Sequence, residues 1–563
     1  MKIRLYTLPL VSLAYPNLSV PTLLGYLKDR FQIDQKDLSI SITNLLTHEN
    51  LLAEYTNLRE NITNIEKEYL DSILNIENSL NIIRNKDLFN FPDYIKATKT
   101  INDCLELLSY KFGCSWNLTK FSFLRKPNSV NELLKFVDEL SLFDTIFDDE
   151  VKLLNNDKRD IIGLSVSYAE QLPFALRFSQ KLKEKFPNVK VIFGGSYITH
   201  AAANIKSIMD DSELIDVAVL FNGELVLEQI INSYKNFGKV TSDIPNVFYR
   251  DKGRVKNNFF KKNHGCVNDI IPSYDGINLD KYLSPERVLP VMLSSGCKHG
   301  KCSFCSHHYN HGKFNGFKKN QTIIDEFKCI TQKYKTKNIY FVDAYLTIEK
   351  LMEVASLIKF NDIKIKWMTE TRIDPLLSEK EIVSEIKKSG CVLLSFGIES
   401  YNRSTLKSMY KEINVDCIPQ VMDTLANHNI TTCITLITGY PGETIKQMEH
   451  SLNQAFSNED IDLVGVSAFG LMENSPMHLL PQKWGLSHLK KKDFLSLEYN
   501  FKFKDVEYNQ SNIFNLINSI TKENNLQIFR DVQRIIQNRV HFFFITKKQL
   551  QEIKRISKGM ISR

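Results

Sequence analysis

The sequence predicts an α/β protein in which a doubly wound parallel sheet is followed by a partial βα barrel and a small C-terminal accessory domain. Two observations predict this class. Apolar runs of strand length alternate with amphipathic helical patterns over residues 1–260 and again over 281–480. A polar stretch rich in Lys and Asn, at about 251–280, separates the two series. Val-, Ile- and Leu-rich strands that alternate with helices are typical of parallel sheets covered on both faces.

The first series fills residues 1–260. Between about 49 and 154 the apolar residues recur three and four positions apart, which predicts a helical insertion after the second strand. Before and after it, the pattern is that of strands in a parallel sheet. The expected strands lie at 2–11, 37–46, 160–168, 189–195 and 217–221.

The second series contains about six βα units, as in a complete or partial βα barrel. In such barrels the active residues lie at the carboxyl ends of the strands. Residues 481–563 mix apolar and basic segments without a clear motif, so we assign them to the accessory domain. The expected barrel strands lie at 288–295, 338–343, 363–370, 391–400, 431–444 and 462–471.

The composition is that of an ordinary globular protein. Of the 563 residues, 43% are hydrophobic and 24% are charged, which excludes a disordered or collagen-like chain. The net charge of +7 is too dilute over this length to predict nucleic-acid binding. Apolar runs stay below the ~18–20 residues of a membrane span, and Pro9 and Pro16 interrupt a possible signal peptide. We therefore expect a cytoplasmic protein whose ten cysteines stay reduced.

The loop after the first barrel strand carries the most specific motif. Cys297, Cys302 and Cys305 have the spacing C-x4-C-x2-C, and three thiolates on one short loop can converge on a soft metal centre. Iron–sulfur cubanes usually take four cysteines, so three would leave one iron open for another ligand. A zinc site with His307 or His308 as the fourth ligand is the alternative.

This loop, with Phe304 directly before its third cysteine, resembles the cluster motif of radical S-adenosylmethionine (SAM) enzymes. The commonest family spacing is C-x3-C-x2-C, so the present loop has one extra residue. The resemblance implies a partial (β/α)6 barrel of TIM type and a [4Fe–4S] cluster whose open iron chelates the amino and carboxylate groups of SAM. One-electron reduction would then cleave the sulfonium and yield a 5′-deoxyadenosyl radical.

Polar and glycine-containing segments end the next four barrel strands. Residues 397–400 resemble the GxES segment of the same enzymes, and residues 439–444 resemble their GxPGET turn. At the end of the second strand, Asp343 could accept the methionyl ammonium of SAM. The resemblance thus implies a SAM site formed by Phe304, Asp343, Glu370, Arg372, Gly397, Glu399, Ser400 and Gly439.

The strand ends of the first domain form a second candidate site. An open parallel sheet binds its ligand there, and a nicotinamide cofactor is excluded because no G-x-G-x-x-G follows the first strand. The segments IIGLSVSYAEQ, VIFGGSYIT and FNGE resemble the Rossmann-like cobalamin-binding domain that precedes many radical SAM barrels. A sheet domain that binds nothing and helps to recognise substrate is the alternative. The resemblance implies cobalamin contacts from Ser165, Ser167, Gln171, Gly194, Gly195, Gly223 and Glu224.

The D-x-H-x-x-G motif that supplies a cobalt-binding histidine elsewhere is absent, so we expect base-off cobalamin without a histidine ligand. Such enzymes carry a methyl group on cobalamin to a substrate carbon from which the radical has removed a hydrogen. The chain resembles the group that matures ribosomally made peptides, which predicts methylation of an unactivated carbon in a peptide or natural product. A low-potential donor such as flavodoxin or ferredoxin is the expected electron source, and no catalytic residue is assigned.

Two alternative functions stay open. A radical SAM and cobalamin enzyme could catalyse a rearrangement or cyclisation without net methylation. A zinc-bearing binding protein is the alternative from another class. Iron content separates the second alternative from the rest, because Zn²⁺ has a filled d shell and gives no charge-transfer absorbance.

Overall fold

The computed structural model describes residues 1–59, 67–110, 112–260, 268–312, 314–523 and 539–552. The chain divides into two compact units. Unit 1 comprises Met1–Arg287 with the short segments Asn310–Gly312 and Asp493–Leu497. Unit 2 comprises Val288–Tyr309, Lys313–Lys492 and Glu498–Arg563. None of the helices in the described ranges combines the length and the apolarity that a membrane crossing requires.

Unit 1 alternates strands and helices along the chain. Its strands are β1 (Lys2–Thr7), β2 (Gln32–Asp37), β3 (Cys114–Asn117), β4 (Lys120–Phe123), β5 (Ile161–Ser165), β6 (Lys190–Gly194), β7 (Val217–Val219), β8 (Val247–Asp251) and β9 (Arg254–Asn257). Its helices are α1 (Ser19–Leu27), α2 (His48–Arg59), α3 (Lys67–Arg84), α4 (Phe91–Tyr110), α5 (Val130–Glu139), α6 (Asp144–Asn156), α7 (Gln171–Lys185), α8 (Ser196–His200), α9 (Ala202–Asp211) and α10 (Glu224–Phe237).

Seven of these strands form one sheet in the order β2-β1-β5-β6-β7-β8-β9. The first five run parallel, which confirms the doubly wound class, and β8 and β9 add an antiparallel edge. The two central strands β5 and β6 are apolar and buried on both faces. Their carboxyl ends lie side by side, because Ser165 pairs with Gly194 in the register.

The second strand lies earlier in the chain than its sequence pattern predicts. β2 is the polar segment QIDQKD, whereas residues 40–44 of the predicted strand form a 3-10 turn. β2 is an edge strand with only part of its surface buried, so it does not need the apolar run that a central strand requires. The turn is fixed by Asp37, whose Oδ1 accepts hydrogen bonds from the backbone N and the hydroxyl of Ser39 at 2.8 and 2.5 Å.

Between β2 and β5 the chain is mainly helical, with a small β3–β4 hairpin that the helical periodicity does not predict. The hairpin and α6 pack on α7 through aromatic rings. The ring centroids of Phe123 and Phe174 are 5.7 Å apart, and those of Phe147 and Phe178 are 4.8 Å apart. Pairs of this kind add to the apolar burial that holds a helical segment on a sheet domain.

Unit 2 contains a six-stranded parallel sheet whose strands follow the chain order, as in part of a βα barrel. This confirms the predicted class of the second series. The strands are β10 (Val288–Val291), β11 (Asn338–Phe341), β12 (Lys366–Thr371), β13 (Cys391–Glu399), β14 (Thr431–Thr438) and β15 (Leu463–Ala468). The helices between and after them are α11 (His307–His311), α12 (Asn320–Gln332), α13 (Ile348–Phe360), α14 (Lys380–Lys388), α15 (Arg403–Ser408), α16 (Ile418–Asn427) and α17 (Ile445–Ser457).

After the barrel strands the chain forms a small antiparallel sheet. It consists of β16 (Leu471–Met472), β17 (Leu486–Lys491), β18 (Glu498–Phe503) and β19 (Val506–Glu507). The sheet has the order β16-β18-β17, and β19 pairs with β18. Two more helices, α18 (Pro476–Leu479) and α19 (Gln510–Glu523), lie in this region. Asp493–Leu497, which lies within the segment that the sequence assigns to the accessory domain, belongs to unit 1.

Candidate functional site

The three cysteines lie in the loop between β10 and α11, at the carboxyl ends of the barrel strands. All three are partly buried, and a negative charge on Cys297 raises the pKa of both Cys302 and Cys305. Gly296 and Gly300 have φ angles of 79° and 57°, which favour glycine. A Cβ on Gly300 would lie 3.2 Å from the carbonyl oxygen of Cys297. The two glycines therefore allow the loop to turn tightly enough to bring the thiols together.

Asp343 holds the start of this loop. Its buried carboxylate accepts hydrogen bonds from the backbone N of Leu293 at 2.9 Å and of Ser294 at 2.7 Å, and from the Ser294 hydroxyl at 2.5 Å. Burial raises the pKa of this carboxyl to about 6, against the hydrogen bonds, which lower it. The structure therefore shows Asp343 tying β11 to the cysteine loop. Its contact with the ammonium of SAM stays a prediction.

The middle of the loop rests on the segment Ser408–Glu412, which follows α15. The backbone N of Ser303 donates to the carbonyl oxygen of Met409 at 2.9 Å. The Nε2 of His299 lies 2.8 Å from the carbonyl oxygen of Tyr410. These contacts fix the backbone between the first and third cysteines from outside the loop.

Arg372, at the end of β12, holds the same segment from the other side. Its guanidinium donates to the carbonyl oxygens of Lys411 and Glu412, the second at 3.0 Å. It also lies over the ring of Tyr345, 5.6 Å from the centroid. The contacts shown for this predicted SAM residue are thus structural, and its contact with SAM stays a prediction.

The thiols lie in a low-dielectric environment with positive charge nearby. Burial raises the pKa of Cys305 to about 11 and also raises that of Cys302. Lys411 and Arg372 act in the opposite direction on Cys302. Buried thiols of this kind stay protonated until a metal displaces the proton, which is how soft centres bind to cysteine.

The donor set fits an iron–sulfur cluster better than a zinc ion. Ligands of a single zinc all lie within about 2.0–2.3 Å of it, whereas the cysteines of a cubane bind different irons. Among the described residues no three His, Cys, Asp or Glu side chains form a group that could hold a single ion. Three soft thiol ligands on one loop suit a cubane, in which each thiol binds its own iron.

A buried ion pair lies at the end of β13. The Nζ of Lys411 is 2.8 Å from Oε1 of Glu399. The register with β14 shifts between Gly397 and Glu399, and Glu399 has a φ of 67°, which is unusual for a residue with a Cβ. A Cβ on Gly397 would lie 2.6 Å from Oε1 of Glu399 and 2.9 Å from Nζ of Lys411. Glycine at 397 therefore makes room for the pair.

The end of β14 is tied to the end of β13 by Glu443. One oxygen of its carboxylate accepts from the backbone N of Gly439 at 2.9 Å, and the other accepts from the hydroxyl of Ser400 at 3.2 Å. Gly439 has a φ of 82°, and a Cβ there would lie 2.8 Å from Cγ1 of Ile513 in α19. The structure thus brings Gly397, Ser400 and Gly439 to the same strand edge.

Two further predicted residues complete this edge. Phe304 packs partly buried against an apolar cluster that includes Met409, Tyr440 and Phe469. Glu370 is half-buried near the end of β12, opposite Ser395 of β13. The contacts of both with SAM stay predictions.

The predicted cobalamin residues of unit 1 also gather at one strand edge. The hydroxyl of Ser165 lies 3.0 Å from that of Ser19, and the carbonyl of Ser167 accepts from the hydroxyl of Ser196 at 2.9 Å. The backbone N of Ser167 donates to Oε1 of Gln171 at 2.7 Å. These contacts shape the loop after β5.

Gln171 is fully buried, and its side-chain amide bonds to the protein backbone. Its Oε1 accepts from the backbone N of Ser167 and Tyr168, and its Nε2 donates to the carbonyl oxygens of Leu8 and Pro9 at 3.2 and 2.8 Å. All four hydrogen bonds that this amide can make are therefore used. The structure shows Gln171 joining the loops after β1 and β5.

Other groups at this edge are open toward a ligand. A Cβ on Gly194 would meet nothing within 4 Å, whereas one on Gly195, whose φ is 108°, would lie 2.3 Å from the carbonyl oxygen of Val166. Glu224, which follows Gly223 at the start of α10, has a buried Oε2 without a hydrogen-bond partner among the described residues. Burial raises the pKa of this carboxyl to about 7. Open space at one strand end and an orphaned polar atom after the neighbouring strand fit a ligand that brings its own hydrogen-bonding groups.

Sequence reasoning missed Lys411, Ser303 and Tyr440. The hydroxyl of Ser303 lies 2.9 Å from that of Tyr440, whose hydroxyl donates to the carbonyl oxygen of Ser408 at 3.0 Å. These contacts join residues that are 137 and 32 positions apart in the chain, so no local pattern marks them. A lysine just after a short helix is ordinarily a solvated helix end.

Known proteins support the interpretation of unit 2. Residues 291–455 match the model of the radical SAM superfamily. The chain carries a radical SAM domain. This class of domain implies a [4Fe–4S] cluster and SAM, and the chain is accordingly an enzyme.

Several curated relatives are similar in sequence over longer stretches. An uncharacterized methyltransferase of Pyrococcus horikoshii is 26% identical over 345 residues, which cover 61% of this chain and 72% of the relative. An anaerobic magnesium-protoporphyrin IX monomethyl ester cyclase of Cereibacter sphaeroides is 24% identical, covering 48% of this chain and 45% of the relative. The hopanoid C-3 methylase of Methylococcus capsulatus is 23% identical, covering 51% and 55%. The chain thus spans about half the length of the last two.

Two solved structures share the fold over most of the chain. TsrM of Kitasatospora setae, a radical SAM methyltransferase with cobalamin and a [4Fe–4S] cluster bound, has a TM-score of 0.55 and 13% identity and covers 87% of this chain and 81% of its own. OxsB, a cobalamin-dependent SAM radical enzyme with aqua-cobalamin and SAM bound, has a TM-score of 0.62 and 13% identity and covers 100% and 72%. At these identities the likeness concerns the fold.

Proposed function

We propose that this enzyme is a cobalamin-dependent radical SAM methyltransferase that methylates an unactivated carbon of a peptide or another natural product. The observation that carries the proposal is the presence, in one chain, of two different strand edges that could each hold a cofactor. Unit 2 has the three-cysteine loop, and unit 1 has open space at Gly194 after β6 and the orphaned Oε2 of Glu224 after β7. The folds of TsrM and OxsB, whose structures contain cobalamin, support it.

In unit 2 the protein's task is to hold and orient the cluster and SAM. Cys297, Cys302 and Cys305 would bind three irons, and Asp343 fixes the start of their loop through Leu293 and Ser294. When bound, the cluster and SAM supply a 5′-deoxyadenosyl radical, and cobalamin supplies the methyl group, chemistry that belongs to the cofactors. The fixed loop positions that chemistry, and correct positioning lowers the barrier by removing the entropy cost of alignment.

In unit 1 the chain's own groups would hold cobalamin without a histidine on cobalt. Gly194 leaves space for a bulky ligand, and Glu224 and Asn222 each have a buried polar atom that a ligand could satisfy. The sequence lacks the D-x-H-x-x-G motif, which supports the base-off form. A low-potential donor such as flavodoxin or ferredoxin would supply the electron.

Anaerobic reconstitution tests the cofactor part of this proposal. We expect about four irons per chain and one corrin, as the cubane and one cobalamin site require. With a low-potential reductant and methyl-labelled SAM, the label should appear on the bound cobalamin before any substrate is added. The matched control is the triple variant in which serine replaces the three cysteines, which should bind cobalamin but no iron. A wild-type protein that contains zinc and no iron would overturn the proposal.

Product analysis tests the reaction and the substrate class. The enzyme is incubated with methyl-labelled SAM and with the peptide and small-molecule fractions of cells. We expect 5′-deoxyadenosine, S-adenosylhomocysteine and a labelled product in the peptide fraction or among the small natural products. The similarity to a magnesium-protoporphyrin IX monomethyl ester cyclase gives the competing outcome. An altered product without label, formed together with 5′-deoxyadenosine, would mean a rearrangement or cyclisation instead.

A further inference from the structure

Lys411 and Glu399 form a buried ion pair at the end of β13. Only 9% of the Lys411 side chain and 11% of the Glu399 side chain are exposed. Removing two such charges from water carries a desolvation penalty that their attraction only partly offsets. Glu399 also adopts a φ of 67°, a left-handed conformation that is strained for a residue with a Cβ. Strain and buried charge at one strand end indicate a functional role.

The position of Lys411 links it to the cysteine loop. Its carbonyl oxygen accepts from Arg372, and the two residues before it carry the loop, since Met409 accepts from Ser303 and Tyr410 lies 2.8 Å from the His299 ring. The backbone on both sides is thus fixed. The ammonium is therefore held at one place relative to the thiols rather than free to move away.

The segment that contains Lys411 contacts the cysteine loop on both sides of Cys302. Before Cys302, the Nζ of Lys301 lies 3.3 Å from the carboxylate of Glu412. After Cys302, the backbone N of Ser303 donates to the carbonyl oxygen of Met409 at 2.9 Å. A fixed positive charge beside this loop stabilises the extra negative charge of a reduced cluster, and the paired carboxylate of Glu399 opposes it.

We propose that Lys411 raises the reduction potential of the cluster bound by Cys297, Cys302 and Cys305, and that Glu399 limits the rise. Lys411 is thus a positioning and tuning residue whose contribution is electrostatic. The physical reason is that a fixed charge in a low-dielectric site, where screening by water and salt is weak, interacts strongly over several ångströms. The inference rests on the proposed cluster and adds a residue that sets how easily it accepts the electron.

The test compares the reduction midpoint of reconstituted full-length variants, followed by the loss of the cluster's visible absorbance and by the electron paramagnetic resonance signal of the reduced form. We expect Lys411→Met to lower the ratio of reduced to oxidised cluster about tenfold at a fixed potential, which is 59 mV for a one-electron couple. Glu399→Gln should shift the ratio the other way. Lys411→Arg should keep the wild-type value.

The matched control is Lys407→Met, which removes the same charge from an exposed position four residues earlier. Solvent and salt screen that charge, so the midpoint should not move. A Lys411→Met shift no larger than that of Lys407→Met would overturn the inference. If Lys411→Met assembles no cluster, Glu399→Gln decides, since an unchanged midpoint in that variant would also overturn it.

Iron and sulfide analysis of the wild-type protein separates this inference from the proposed function. A wild-type chain without a cluster would end the proposed function. If the wild-type and variant chains have equal iron and sulfide contents and equal reduction midpoints, only the proposed role of Lys411 is disproved.

Discussion

The two strand edges that carry the candidate cofactor sites differ in how the following helices begin. In unit 1, the N-cap residues of the helices that follow β1, β5, β6 and β7 make no capping hydrogen bond with their side chains. In unit 2, the helices after β11, β13 and β14 begin with Thr347, Asn402 and Thr444, whose side chains each accept from the backbone of the first turn. N-cap side chains therefore order these three helix starts of unit 2 and none of the four in unit 1.

The same contrast extends to the side chains. In unit 2 the carboxylates of Asp343, Glu399 and Glu443 all have partners within the protein. In unit 1 the Oε2 of Glu224 is buried without one among the described residues. Carboxylates that are already satisfied give a rigid frame for a loop that binds metal. A buried carboxyl oxygen without a partner gains most when a ligand arrives, because buried polar atoms without partners are costly.

The largest change in the free energy of unfolding should come from an alanine substitution at one of two adjacent glycines in unit 1. Gly195→Ala places a Cβ 2.3 Å from the carbonyl oxygen of Val166 at a φ of 108°, so we expect a loss of about 4 kcal/mol in the free energy of unfolding. Gly194→Ala meets nothing within 4 Å and should change stability by less than about 1 kcal/mol, but its methyl group enters the open space after β6. Denaturant unfolding of the apoprotein and the amount of cobalamin retained distinguish the two. Equal effects on both measurements would contradict this division between folding and binding.

The second effect is a dependence of stability on pH. Because burial raises the pKa of Glu224 from 4.5 to about 7, the protonated form is favoured in the folded state. Its stabilising contribution is complete below pH 4.5 and is lost as the pH rises through 7. Between pH 5 and 8 the free energy of unfolding of the wild type should fall by up to about 3 kcal/mol relative to Glu224→Gln.

The control for that measurement lies on the same helix. Glu228 is paired with Arg30 at 3.1 Å near the surface, so Glu228→Gln should show no such relative change over the same pH range. A flat difference for Glu224→Gln would mean that its carboxyl is solvated, and unit 1 would then lose the orphaned group on which the contrast depends.

These two edges also show what the sequence can and cannot predict. The spacing of Cys297, Cys302 and Cys305 is local, so the cluster loop can be predicted from the sequence. The six βα units can be predicted from hydrophobic periodicity. The role of Asp343 cannot be predicted, because it depends on β10 and β11 being neighbours with a register that places Asp343 beside Leu293. The ion pair of Lys411 with Glu399, beside the cysteine loop, forms only when residues 397–412 fold back, so the sequence does not predict it. Edge strands such as β2 lack the apolar signal on which strand prediction relies.

A smaller effect is expected from the anchor of the cysteine loop in unit 2. Asp343→Asn keeps one acceptor oxygen but turns an NH2 group toward the backbone amides of Leu293 and Ser294. We expect a loss of about 2 kcal/mol in the free energy of unfolding and faster release of iron from the reconstituted protein. Ser294→Ala removes only the hydroxyl contact and should cost less. Iron release at the wild-type rate in Asp343→Asn would show that the loop is held by other contacts.

The smallest effect tests the capped helices themselves. Thr444 begins α17 with a capping box, in which its hydroxyl accepts from the backbone N of Gln447 at 3.3 Å and its own N donates to the Gln447 side chain at 2.9 Å. Thr444→Ala should therefore lower the free energy of unfolding by about 1 kcal/mol. The cluster midpoint should stay unchanged, because the cap orders a helix end and carries no charge. A shift of the reduction midpoint without a loss of stability would mean that the helix starts at the strand edge of unit 2 tune the cluster as well as Lys411 does.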